Sequence, residues 1–427
     1  MKTLTKQANL TAADLRQLLL DAGADDAACV SVNREELAEE RLYAQQALPG
    51  TQTLISYCVR MNREPIRTPQ RSVANLEFHH AGDEINEIGR RVVRALEERG
   101  LRALNPPMGF PMEMDKFPGR TWVISHKRVA EAAGLGVMGI HHNVIHPRFG
   151  NFILLGTLLL EATLDEEAKP LDFNPCLECK LCVAACPVGA IGPKGEFDFS
   201  ACYTHNYREF MGGFTDWVED VADSKNAHDY RKRVSDSESA SMWQSLSFGA
   251  NYKAAYCLSV CPAGEDVIAP FQEDRAQFMK TTLKPLQAKV EALYVMPGSD
   301  AKNHAERRFP HKQIRLVGKV LRPTSIAGFI HGMPLVFQRG IAKGEDSTFH
   351  FSFTGEEERK ITVIIRDSKL QIEEGHTGIA NLLIQADSRS WVRFLRGELN
   401  LALALLSRKL RLKGSWKHLL VMDKVFV

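Results

Sequence analysis

Four cysteines stand at Cys176, Cys179, Cys182 and Cys186, and Pro187 follows the last of them. Thiolates separated by two residues can reach three irons of one cubane from a single short loop. A fourth cysteine three residues on, before proline, points toward a second cluster in the bacterial ferredoxin pattern. The spacing therefore predicts a [4Fe–4S] cluster and requires a second run to return a thiolate to it. Cys261, also followed by proline in CLSVCPAG, is the candidate. On this exchanged scheme the first cluster takes Cys176, Cys179, Cys182 and Cys261, and the second takes Cys186, Cys202 and Cys257. A regular second run would carry a further cysteine where the chain has Ala254. Seven cysteines are one short of eight. The second site is thus expected to be a [3Fe–4S] cluster, a [4Fe–4S] cluster completed by a ligand such as His205, or absent. Structural zinc is the alternative for the first motif, but the paired C-P steps suit ferredoxin geometry better.

Two further groups could touch a cofactor or substrate. Gly134, Gly136 and Gly139 form GLGVMG, a formal match to G-x-G-x-x-G. A dinucleotide fingerprint must follow a strand and open a helix, whereas the helical SHKRVAEAA precedes these glycines. They read better as a turn with close backbone approach, which either simply packs or borders a large flat cofactor. HHNVIHP adds His141, His142 and His146, any of which could meet a metal or substrate from a loop. Arg120, His126, Lys127 and Arg128 form a basic group alongside. His126, Arg128 and His141 are the catalytic candidates, and Gly134, Gly136, Gly139, His141, His142 and His146 the cofactor contacts.

These residues need a scaffold, and 427 residues is enough for two or three domains. The composition, 44% hydrophobic and 25% charged, is that of a globular protein, and a net charge of +2 gives little reason to expect nucleic acid as the partner. No run reaches the roughly 18 apolar residues of a membrane span, and the polar start has no signal-peptide core, so a cytoplasmic protein is expected. Its nine cysteines then argue for metal ligation rather than disulfides. Helical periodicity at 11–24, 82–100 and 125–134, with strands in TQTLISYCVRM and NFILLGTLLLEATL, predicts an α/β or α+β first domain over 1–170. The cysteine-bearing module follows over 171–295, with a polar insertion at 216–243 read as exposed helix or a lid. Residues 296–319 read as a linker with breakers Pro297, Gly298 and Pro310. Alternating strands and two apolar helical stretches then predict a separate α+β domain over 320–427.

From about residue 50 to 270 the chain resembles the epoxyqueuosine reductase and reductive dehalogenase superfamily. The resemblance is carried by HKRVAEAAGLGVMGIHHNVIHPRFGNFILLGTLLLE, NPCLECKLCVAACPVGAI and YCLSVCPAG. It implies a nitroreductase-like α/β domain holding base-off cobalamin, and a two-cluster ferredoxin-like module that feeds it electrons from ferredoxin or flavodoxin. Ile124 and Ser125 stand where the resemblance would put an acid, and the missing eighth cysteine and the long gap between Cys202 and Cys257 are further departures. Epoxyqueuosine itself is therefore not the expected substrate.

From about 320 onward the chain resembles the sterol carrier protein type 2 family, through KITVIIRDSKLQIEEG, SRSWVRFLRGELNLALALLSRKLRLKG and SWKHLLVMDKVF. That implies a curved sheet under helices with an apolar tunnel for a lipid-like ligand; LNLALALL reads as either closed core or tunnel wall. Together the two resemblances imply a cobalamin-dependent iron–sulfur reductase acting on a hydrophobic electrophile such as an epoxide or halide. A nonenzymatic electron carrier or lipid-responsive redox sensor is the alternative.

Overall fold

The computed structural model describes residues 10–109, 114–117, 122–176, 178–318 and 321–427. The first described element is helix α1 (Ala12–Asp21), whose N-terminus is closed by a capping box between Thr11 and Asp14. Strands β1 (Asp26–Ser31), β2 (Thr53–Arg60), β3 (Ala103–Leu104) and β6 (Ile153–Leu160) form one antiparallel sheet in the order β1-β2-β6-β3. β6 is buried at all eight positions and β2 at seven of its eight. A strand covered on both faces needs no alternation of apolar and polar residues, which explains the continuous run ILLGTLLL.

Helix α2 (Arg71–Glu98) lies across this sheet and turns Ile85, Ile88, Val92 and Leu96 into the core. Gly156 leaves room for the Tyr57 ring, whose atoms lie within 2.3–2.6 Å of where a Cβ would stand. Helix α3 (His126–Ala132) packs on the other face with Val129 and Ala132. It leads into a small hairpin of β4 (Val137–Met138) and β5 (Val144–Ile145).

The cysteine-bearing region has its own core and is helical: α4 (Leu181–Ala185), α5 (Phe199–Asn206), α6 (Gly212–Ala222), α7 (Ala227–Arg233), α8 (Asp236–Phe248) and α9 (Tyr256–Val260). The polar insertion is thus three helices, α6 to α8. They are pinned inward by Arg208, which is 2% exposed and bonds both Asp216 and Glu238. The segment expected as a linker is instead structured. It carries a helix over Asp300–Arg308 capped by Ser299, and strand β8 (Gln313–Leu316), which pairs in parallel with β7 (Ala292–Val295). Its Gly and Pro residues sit at the ends of these elements, where breakers terminate structure without preventing it.

The last part is a five-stranded sheet in the order β11-β10-β9-β12-β13, formed by β9 (Asp346–Thr354), β10 (Arg359–Arg366), β11 (Lys369–Glu374), β12 (Leu382–Asp387) and β13 (Leu410–Gly414). Only the β9–β12 pair is parallel. Phe349, Phe351 and Phe353 alternate onto the buried face of β9, and the last two meet Trp391 and Phe329. The apolar helical stretch breaks into α10 (Ser388–Leu395) and α11 (Leu401–Leu406), and a final helix, α12 (Lys417–Val425), closes the chain. In α11 only Ala404 is buried, while Leu403 is 61% and Leu406 81% exposed. LNLALALL is therefore not the closed core helix its composition allowed, because a six-residue helix at the sheet edge turns most of its leucines outward.

Candidate functional site: two sets of cysteines beneath a hairpin

Cys176, Cys179, Cys182 and Cys261 line a single cavity, roofed by Ile140 and His141 of the β4–β5 turn. The first three come from one loop leading into α4, while Cys261 ends α9. The backbone N–H of Ile140 donates to Cys176 Sγ at 3.3 Å. Hydrogen bonds of this kind stabilise a negatively charged sulfur and are one means by which a protein sets a cluster's potential.

Cys186, Cys202 and Cys257 form the second set. Burial raises all three thiols above their ordinary range, Cys257 up to about 11, and their mutual proximity adds to the effect. In the first set Cys182 is pushed up to about 12, by burial first and then by neighbouring cysteines. Buried thiols that oppose one another's ionisation are a poor arrangement for free thiolates and a suitable one for a cationic metal centre, which deprotonates its ligands outright.

Among the described residues, no three His, Cys, Asp or Glu side chains converge as holders of a metal ion. Four thiols about one cavity, three of them at the C-x2-C-x2-C spacing of a cubane loop, suit an iron–sulfur cluster. Iron–sulfur clusters therefore fit the residues present. All nine cysteines are free thiols, and Cys29 and Cys58 are buried in the first sheet, away from both sets.

The β4–β5 turn borders both sets. The Asn143 amide lies 3.9 Å from Cys257 Sγ, and its Oδ1 accepts from Lys127 Nζ at 3.1 Å. Lys127 also donates to the His142 carbonyl. Burial lowers its pKa, while Cys257 and Cys202 act in the opposite sense. Lys127, named in the sequence only as one of a basic group, is thus a half-buried cation beside the second set. Its tertiary partners, more than its residue type, identify it.

The other named residues separate sharply. His126 is buried with both ring nitrogens engaged, Nδ1 to Thr157 Oγ1 at 2.8 Å and Nε2 to the Pro107 carbonyl at 3.1 Å. Arg128 is exposed and paired with Glu39. His146 bonds Asp26 through Nε2 and accepts backbone N–H groups at Nδ1. Neither histidine has a lone pair free for a ligand. His141 lines the first cavity, where burial lowers its pKa to about 4 and keeps it neutral; its Nδ1 accepts from the Asn143 N–H. His142 has φ +58° and stacks on Phe197.

Gly134 and Gly136 are close-approach positions. A Cβ on Gly134 would stand 2.1 Å from the Lys169 carbonyl oxygen, and one on Gly136 2.7 Å from that of Ile145. A Cβ on Gly139 would meet side chains, Ile145 and His141, within 3 Å. GLGVMG is accordingly a packed turn, as its helical lead-in suggested, and no corrin cradle is built from the glycines or from His126 and His146. The named first-domain residues do not fit cobalamin as a set, and Arg120 lies outside the described residues.

His205 does not suit the place of a fourth iron ligand. Its Nδ1 accepts from the Tyr294 N–H, so the neutral ring carries its proton on Nε2, the nitrogen that would have to offer a lone pair. Burial lowers its pKa to about 4, and the charges around it are Glu291 and three lysines.

Comparison with known proteins agrees with the resemblance read from the sequence. The chain is similar to the epoxyqueuosine reductase of Gloeobacter violaceus, with 28% identity over 163 residues, 38% of this chain and 48% of the relative. It spans about half the length of the curated relatives it matches. Residues 338–427 match the SCP-2 sterol transfer family. Among solved structures, the epoxyqueuosine reductase of Streptococcus thermophilus aligns at TM-score 0.35 and 14% identity, over 64% of this chain and 75% of that one. A reductive dehalogenase described in terms of B12-dependent dehalogenation aligns at 0.42 and 15%, over 72% and 39%. Both scores are too low to argue a shared fold.

Proposed function

We propose that this chain is an iron–sulfur oxidoreductase that passes electrons through two clusters to an acceptor bound by its first domain. The observation that carries the reading is the convergence of Cys176, Cys179 and Cys182 with the distant Cys261 on one cavity. The second set, Cys186, Cys202 and Cys257, lies close enough for its charges to be felt at Cys182. Electrons come from an external ferredoxin or flavodoxin. The similarity to epoxyqueuosine reductases supports a reductase. Cobalamin is the acceptor that similarity suggests, although Gly134, Gly136, Gly139, His126 and His146 are not what would hold it, and the substrate class is a hydrophobic electrophile such as an epoxide or halide. The C-terminal sheet domain, with its sterol-carrier match, supplies binding for a lipid-like molecule.

What this chain's own residues contribute is placement and charge. The Ile140 N–H stabilises the Cys176 sulfur, Lys127 sets a cation beside Cys202 and Cys257, and Asn143 links that cation to Cys257. The test is iron and cobalt content per chain after purification without oxygen from cells supplied with cobalamin, read with electron paramagnetic resonance spectra. Two clusters with one base-off cobalt support the reductase. Two clusters without cobalt, even after reconstitution, leave an electron carrier or lipid-responsive redox sensor. The engagement of every ring nitrogen of His126 and His146 favours that second reading, since it removes them as acid–base groups. A sensor requires lipid binding to shift the cluster potentials.

A further inference from the structure

The two cysteine runs are built on the same backbone turn. In the first, Lys180 takes the left-handed conformation at φ +53°, ψ 20° and caps the five-residue helix α4, and Cys186 ends that helix at φ −65°, ψ 115°. In the second, Ala255 takes φ +54°, ψ 29°, caps the five-residue helix α9, and Cys261 ends it at φ −69°, ψ 122°. Neither left-handed residue is glycine, so each conformation is held at a cost by its surroundings. Proline follows both terminal cysteines. Register follows from this repeat: Cys182 corresponds to Cys257, Cys186 to Cys261, and Cys179, immediately before the left-handed residue, corresponds to Ala254.

Each run sends its last cysteine to the other set. Cys261 joins Cys179 and Cys182 at the cavity, and Cys186 packs in one cluster with Cys202, Cys257 and Ala254. The residue that should stand with Cys257 as Cys179 stands with Cys182 is therefore Ala254. It is 6% exposed and held by a bond from its N–H to Asn206 Oδ1 at 2.9 Å. Of the nearby polar groups, Asn206 Oδ1 is taken by Ala254, Asn143 Oδ1 by Lys127 and His205 Nδ1 by the Tyr294 N–H, while His205 Nε2, buried without a partner, carries the ring's proton.

We propose that the second site holds its cluster through three thiolates, Cys186, Cys202 and Cys257, and that the corner facing Ala254 carries an exchangeable iron(II) ion. This rests on the cluster reading given above. The exchange is [4Fe–4S]2+ going to [3Fe–4S]+ with release of Fe2+ and one electron, which an added oxidant accepts. Iron(II) and a reductant reverse it. The first cluster, with four thiolates, does not take part.

The test is a ferricyanide titration of the full chain purified without oxygen, with released iron(II) counted by a chelator and the [3Fe–4S]+ signal integrated by electron paramagnetic resonance. The wild type should release about one iron per chain and gain about one spin, both reversed by iron(II) and dithionite. Ala254→Cys, which adds only a sulfur to an existing Cβ, should reduce both by at least about tenfold while the first cluster's signal persists. Cys179→Ala, the equivalent change in the first run, should create a second labile iron. Two oxidant-resistant clusters in the wild type, or an Ala254→Cys variant as labile as the wild type, would overturn the proposal and leave the cluster reading standing. A chain that holds no iron would overturn both.

Discussion

Replacing Arg208 by methionine tests whether the insertion helices are a fixed part of the cysteine module. The guanidinium is 2% exposed, bonds Asp216 Oδ2 at 2.5 Å and Glu238 at 3.0 Å, and lies 5.1 Å from the Tyr294 ring centroid. Asp216 in turn accepts the Gly318 N–H at 3.0 Å, so one ion holds α6, α8 and the strand region beyond β8. Methionine keeps much of the volume but leaves two carboxylates buried together without a cation. Breaking a buried pair from one side costs about 3–5 kcal/mol. At about 1.36 kcal/mol per tenfold, the open population of α6–α8 should rise by about two to three and a half orders of magnitude. Trypsin reads this population at Lys225, Arg231, Lys232 and Arg233, provided reclosing outpaces cleavage. Cleavage of Arg208→Met within about threefold of the wild-type rate would refute the reasoning. Adding Asp216→Asn and Glu238→Gln should recover most of the loss, because the uncompensated charges, rather than the missing side chain, carry the penalty.

Cys261→Ser should remove the first cluster although the C-x2-C-x2-C loop is intact, while Cys58→Ser leaves iron content unchanged; iron analysis decides it. His205 is held neutral in the fold, with a pKa lowered to about 4 chiefly by burial. The unfolded chain protonates near pH 6.5 and the folded chain does not. Stability from this group is therefore complete above pH 6.5 and falls by up to about 3 kcal/mol toward pH 4. His205→Gln should flatten that part of a denaturation-against-pH curve. Leu406→Gln, at a side chain 81% exposed, should change stability by less than about 0.5 kcal/mol in urea unfolding. A loss of about 2 kcal/mol or more would mean that α11 is packed as a core helix.

Much of the first sheet was legible because its signals are local. The strand at 53–60 and the strand at 153–160 are continuous apolar runs, and Ser125 caps the helix expected after it. Position in the fold overrode composition at two places. The linker at 296–319 formed a helix and a paired strand, and the leucines of α11 face outward. Histidines were the least legible. His126, His141 and His146 are alike in sequence and each has both nitrogens within reach of partners in the fold, yet of the three it is His141 that lines the cavity.

By itself the sequence determined the expectation of iron–sulfur chemistry and which cysteines would serve it, because thiolate spacing within a loop is set by covalent geometry and survives any arrangement of the rest. It also determined the two resemblances, over about residues 50–270 and from about 320 onward. The spacing already pointed Cys261 to the first loop and Ala254 to the gap in the second run; only the tertiary structure gave the two runs their matching left-handed turns and placed Lys127 beside the second set. Both depend on contacts between segments distant in sequence, which local spacing does not encode.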